Sequence, residues 1–356
     1  MGSRDKQSLF AALRGLVQGI RGPKMITIPP RPARTRGNLR RGSVHVGGKS
    51  PGPTAVPVGT DLGVTMLLVG FDSAWTSGNT GGLVGVFRFA DGSIAELGDP
   101  LSVRYSDASR IIQGWQAEYV PESAIILLDQ PTIVPNSSGQ RPIESIAGSP
   151  VGRHGGGMQP SSTSKTDMFG PGAPVWGFLE TFGGAADPRE PLGPAAVIET
   201  YPCLALIALD WLLPGSGSIH QLPKYNPANR AKFSLAAWRF VCEHTAAELR
   251  AFGLDELPRW VDSMAGNPAP RKGDQDGLDA CLCLIAALHL AERRPCLMVG
   301  DMASGYIVVP HGDMLAGELK DRCWAAGYEP ADWVCTFRLA PPSPRGQLSR
   351  DIKEVP

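Results

Sequence analysis

Four apolar segments each carry acid at an end. Asp72 closes the run Met66 to Phe71, and Asp129 closes SAIILLD. Glu199 lies near the end of PAAVIETYP, and Asp276 and Asp279 open the segment GDQDGLDACLCLIAAL. Asp276 and Asp279 are three apart, so a helix would carry both on one face of its first turns. Carboxylates gathered at one place repel and raise one another's pKa unless a cation intervenes. A hard divalent ion such as Mg²⁺ or Mn²⁺ suits an all-oxygen donor set. Two such ions about 4 Å apart can activate a water and stabilise a leaving oxygen in phosphodiester hydrolysis. Each acid taken singly has a plainer role, as a turn-satisfying side chain, an N-cap or a macrodipole partner. The joint pattern carries the chemical reading.

The elements that must position these acids follow from hydrophobic periodicity. Short apolar runs predict strands over 65–71 and 82–90, with a third over roughly 93–104 after the Asp91-Gly92 hairpin signal. A helix is expected over 107–119, then a buried strand over 123–129. Residues 130–175 read as one long Gly/Pro/Ser loop. Next come a helix at 174–182, a strand within 194–202, and helices at 228–252 and 258–264. The strongest helix spans 273–294, with Leu278, Leu282, Ile285 and Leu288 as its stripe. Two short strands around Gly300 and Gly305 and a helix over 311–327 complete the pattern. In an α/β sheet the C-terminal strand ends form the binding edge, where three strand-end acids and a helix-start pair can meet.

Composition sets outer bounds. With 42% hydrophobic and 19% charged residues, the chain is globular, and 43 glycines with 33 prolines imply many turns. The net charge of zero hides an asymmetry: residues 1–50 hold 11 Lys/Arg against one acid, and the remainder 23 against 33. Residues 1–62 therefore read as a basic, Pro/Gly/Arg-rich arm, either a nucleic-acid contact or a plain extension. A catalytic domain follows over 63–340, and 341–356 reads as a loose tail. No apolar run approaches the roughly 20 residues of a membrane helix, and no secretory leader is evident. The seven cysteines form no CxxC pair and read as reduced thiols, so a cytoplasmic location is expected.

Taken in order, VGFDSAW, ILLDQP, VIETYP, DQDGLDACLCLIAAL and GYIVVP resemble the motifs of predicted RNase H-like nucleases of domain-of-unknown-function family 429. The resemblance spans about residues 65–310. It departs at the first motif, which in that family commonly reads GVDGCPxGW, and in the Gly/Ser-rich loop at 130–175. The resemblance implies a mixed five-stranded sheet flanked by helices, with strands one to three antiparallel and later strands parallel. It implies a metal-dependent nuclease using two Mg²⁺ or Mn²⁺ ions, with Asp72, Asp129, Glu199 and Asp279 as catalytic ligands and Asp276 as neighbour or alternate. LPKYNPANR resembles the family's lysine-bearing segment, which picks out Lys224.

Other positions carry paired readings. Lys224 and Arg230 are phosphate clamps or surface cations. His154, in GRHGGGM, is a proton shuttle or an exposed loop histidine. Trp75 is a base-stacking platform or a half-buried aromatic. Two other functions stay open. One is a non-catalytic nucleic-acid-binding or scaffold module led by the basic arm. The other is an actin- or sugar-kinase-like phosphotransferase, whose usual duplication is missing from the single set of motifs here.

Overall fold

The computed structural model describes residues 64–215 and 219–340. The basic arm, its amphipathic segment and the 341–356 tail lie outside the described residues. The central element is β1 (Val64–Asp72). Leu67, Leu68, Val69 and Phe71 are all fully buried, so both faces of this strand are covered. The two-residue alternation of a strand sends Leu68 into one core and Leu67, Val69 and Phe71 into the other. The apolar run is continuous because both cores need it.

β1 pairs antiparallel with β2 (Gly81–Phe89) and parallel with β5 (Ser123–Leu128), which pairs parallel with β6 (Ala195–Glu199). β3 (Ile94–Glu96) and β4 (Leu101–Val103) both pair antiparallel with β2, so the sheet has six strands along the path β3-β2-β1-β5-β6 with β4 beside β2. The single third strand expected over 93–104 is thus two. Gly98 turns the chain at φ 96°, and Pro100 has no N–H to offer the ladder. The expected order of antiparallel strands first and parallel strands later is present.

Helices cover both faces. α1 (Tyr105–Tyr119) lies on one side. The segment expected as loop over 130–175 instead contains α2 (Pro142–Arg153) and the short α3 (Thr166–Phe169). Pro142 starts α2, Glu144 accepts the Arg141 backbone N–H at 3.0 Å, and Ile143, Ile146, Ala147 and Val151 are buried. α4 (Pro174–Thr181) and α5 (Pro202–Ala208) follow. α6 (Leu235–Ala251) begins seven residues later than the expected start at 228, because Ser234 Oγ caps the Ala237 N–H at 3.3 Å. α7 (Glu256–Ala265) precedes α8 (Lys272–Ala291), whose residues from Gln275 onward are all buried. A second, three-stranded antiparallel sheet runs β8-β7-β9, from β7 (Cys296–Asp301), β8 (Gly305–Pro310) and the unexpected β9 (Val334–Phe337). α9 (Asp313–Ala326) and α10 (Pro330–Trp333) separate β8 from β9. Among the described residues no helix is long and apolar enough to cross a membrane.

Two glycines let α8 lie directly on the sheet. A Cβ on Gly70 would stand 2.1 Å from the Ala280 carbonyl oxygen and 2.5 Å from the Leu284 nitrogen. A Cβ on Gly82 would stand 2.1 Å from the Asp276 carbonyl oxygen. Both contacts are with helix backbone, which cannot swing aside. Gly70→Ala is therefore expected to lower the free energy of unfolding by roughly 3 kcal/mol, measured by urea denaturation. An unchanged midpoint would mean that α8 has room to retreat.

Candidate active site

The sheet and α8 bring acids together at one edge. Asp72 ends β1, and the Asp129 N–H donates to the Phe71 carbonyl at 2.9 Å, extending the parallel ladder by one residue. The two side chains therefore leave adjacent strand ends, close enough for the Asp129 charge to raise the Asp72 carboxyl. α8 supplies Asp276 and Asp279 from its first turns, held over β1 and β2 by the glycine contacts. Asp72, Asp276 and Asp279 are buried and Asp129 is half-buried.

Their charges conflict. Burial, then repulsion from Asp279 and Asp129, hold the Asp72 carboxyl well above the usual range, and Lys272 only partly offsets this. Burial and the Asp279 charge push Asp129 up to about 8. Burial raises Asp279 to about 6, opposed by Lys272 and by two hydrogen bonds. Those bonds come from Tyr225 Oη to Oδ1 and Gln275 Nε2 to Oδ2, each at 2.7 Å. The Lys272 ammonium donates to Asp276 Oδ1. Burial works against that ammonium, yet Asp72, Asp279 and Asp276 together raise its pKa. Behind the cluster, Gln130 accepts from Ser73 at 2.7 Å and from Tyr105, which fixes the chain beside Asp129.

Glu199 stands near enough to Asp129 for its charge to help raise that carboxyl, but it is held apart from the aspartates by its own partner. It ends β6 as expected, but Arg141 takes both its oxygens: Nη2 donates to Oε1 at 2.6 Å and Nη1 to Oε2 at 3.0 Å. The Thr132 N–H also donates to Oε2, at 2.9 Å. Arg141 Nε donates to Glu144 Oε1 at 2.9 Å, so one buried guanidinium ties two carboxylates. The sequence put Glu199 with the aspartates; the structure puts it in a neighbouring ion network. Arg141 escaped notice because GQRPIES reads as loop, and no local pattern announces a partner 58 residues away. Arg141→Met is expected to cost about 3–5 kcal/mol of stability, because it strands two buried negative charges. Thermal and urea unfolding would check this, and a loss under 1 kcal/mol would contradict it.

The aspartates face a cavity of about 950 Å³. Its wall also carries Lys224, Lys232 and Lys272 and the side-chain amides of Asn79, Asn226 and Asn229. Lys224 reaches the wall as expected, and its ammonium donates to the Gly155 carbonyl. Trp75 also lines the cavity. Its φ is 61°, and its indole N–H donates to the Asp129 carbonyl at 2.9 Å. Arg230 is exposed and does not line the cavity. His154 corrects both of its readings. It is 3% exposed, with Nδ1 2.8 Å from the His220 carbonyl and Nε2 3.1 Å from Glu318 Oε2. It therefore ties the Gly-rich loop to α9 and does not enter the cavity. Lys232, Tyr225 and Gln275 were passed over. Tyr225 stood in the quoted LPKYNPANR beside Lys224, and Gln275 one turn before Asp279.

Among the described residues, no three His, Cys, Asp or Glu side chains stand as a ready-made metal cage. The fit to a hard cation rests on the donor chemistry: buried, oxygen-only groups whose mutual repulsion a positive charge would relieve.

The model of a family described as protein of unknown function, DUF429, matches residues 70–302. That span contains Asp72, Asp129, Glu199, Asp276 and Asp279. No curated protein matches the chain, and no solved structure matches it.

Proposed function

The chain belongs to the DUF429 family, and we propose that it is a divalent-cation-dependent nuclease with a ribonuclease H-like core. The observation that carries this is the convergence of Asp72, Asp129 and Asp279 at one sheet edge, in a cavity that lysines and amides also line. The strand path supports the fold: three antiparallel strands, then two parallel ones, with a late helix laid over the first strand.

Asp72, Asp129 and Asp279 would hold Mg²⁺ or Mn²⁺, which supplies charge neutralisation and a water acidic enough to attack phosphorus near neutral pH. The protein's own groups do the rest. Tyr225 and Gln275 hold Asp279 at a fixed angle. The indole of Trp75 holds the backbone of Asp129 and leaves its ring at the cavity wall for a base. Lys224 and Lys232 offer charge to the phosphates. With Glu199 tied to Arg141, Asp276 is the acid left for a second cation, and Lys272 competes for it.

The test incubates the full chain with labelled single- and double-stranded DNA and RNA, with Mg²⁺, Mn²⁺ or EDTA. Cleavage that needs the cation and is lost in Asp72→Asn supports the reading. No cleavage of any substrate with either cation overturns it.

A further inference from the structure

Beside the main cavity lies a smaller one of about 260 Å³ that shares Trp75, Asp129 and Tyr201 with it. Its interior holds an anomaly. Ser161 is fully buried, and its Oγ has no hydrogen-bond partner. The Ser161 backbone is satisfied, its N–H by Glu144 at 2.8 Å and its carbonyl by Asn136 at 2.8 Å. Buried hydroxyls are nearly always paired, so one left over inside a cavity marks where a ligand group fits. Arg141, the one cation in this wall, is taken up by Glu199 and Glu144, so nothing here draws an anion. Ile307 and Met158 add apolar surface. The occupant is therefore not an anion, is partly apolar, and is able to hydrogen-bond a hydroxyl.

We propose that this chamber holds one unpaired nucleoside of the substrate, next to the phosphate at Asp129. The proposal rests on the nuclease reading and narrows it. The volume falls just below the roughly 300 Å³ at which small-molecule sites begin, so it admits a single ring and sugar and not a base pair. The strand must then be single, ended or locally opened, with its base drawn out of the stack. Trp75 and Tyr201, at the shared boundary, stand where such a base passes from one cavity to the other.

The test needs no catalysis. The full chain is titrated with uridine 5′-monophosphate and, separately, with inorganic phosphate, by ligand-observed NMR. The nucleotide is expected to bind about tenfold tighter than phosphate. Ser161→Ala should reduce that advantage, and Met158→Trp, which fills the chamber from its rim, should abolish it. Equal affinities in the unsubstituted protein overturn the proposal, and so does an advantage that survives Met158→Trp in a protein that melts normally. The two readings fail separately. Asp72-dependent cleavage without nucleotide preference removes the chamber alone. Nucleotide preference without any cleavage removes the nuclease and leaves the chamber.

Discussion

Asp72→Asn is expected to lower cation-dependent cleavage by about 10³-fold or more, a loss of roughly 4 kcal/mol at the transition state. Asp72 feels every other aspartate of the cluster, Asp279, Asp129 and Asp276, and the Lys272 ammonium as well. Asparagine keeps its shape and removes its charge, so a ligand is lost while packing is kept. The same substitution should raise the melting temperature in EDTA. It takes one carboxyl out of a buried group in which the Asp279 charge raises both Asp72 and Asp129. Loss of activity with gain of stability separates a functional acid from a structural one. An asparagine variant that cleaves within tenfold of the parent would sink the assignment of Asp72.

The second large effect is on stability against pH. Asp129 is raised to about 8, Asp279 to about 6, and Asp72 is raised with them, whereas an unfolded aspartate titrates near ~3.9. Between those values the native state binds more protons than the unfolded state, so stability falls as pH rises. The contribution of these groups is fully present below about pH 4. It is lost as pH rises through about 6 and then about 8. Calorimetry in EDTA should therefore show a melting temperature that declines from pH 5 to pH 8, by about 2 °C for each kcal/mol lost. Mg²⁺ or Mn²⁺ should restore it at pH 8 and do little at pH 5, where protons already neutralise the acids. A flat profile in EDTA would remove the electrostatic basis of the cation site.

The parts legible in the sequence were those where one stretch carries its own burial signal. Met66 to Phe71 and SAIILLD read as strands because a strand covered on both faces is apolar throughout. α8 read as a helix from its stripe, and its acid pair followed from a spacing of three. The parts that were missed depend on partners far along the chain. α2 was hidden because Gly148, Ser149 and Pro150 interrupt its apolar face, and its place is set by burial of Ile143, Ile146 and Val151 in the core. Glu199 shares the strand-end pattern of Asp72 and Asp129, but a guanidinium from outside β6 decides its role. His154 sits among glycines that suggest exposure, yet Glu318 and His220 close over it. The break in strand three was visible in Gly98 and Pro100, and the apolar residues around them outweighed it.

The glycine-mediated seat of α8 also sets an order of events during synthesis. Asp72 and Asp129 leave the ribosome long before residues 272–291 do. Until α8 has emerged and settled against Gly70 and Gly82, neither Asp279 nor Lys272 is in place. A growing chain thus carries a carboxyl pair but not the assembled cluster. For the activity proposed here, the growing chain would stay inactive until α8 has emerged and settled.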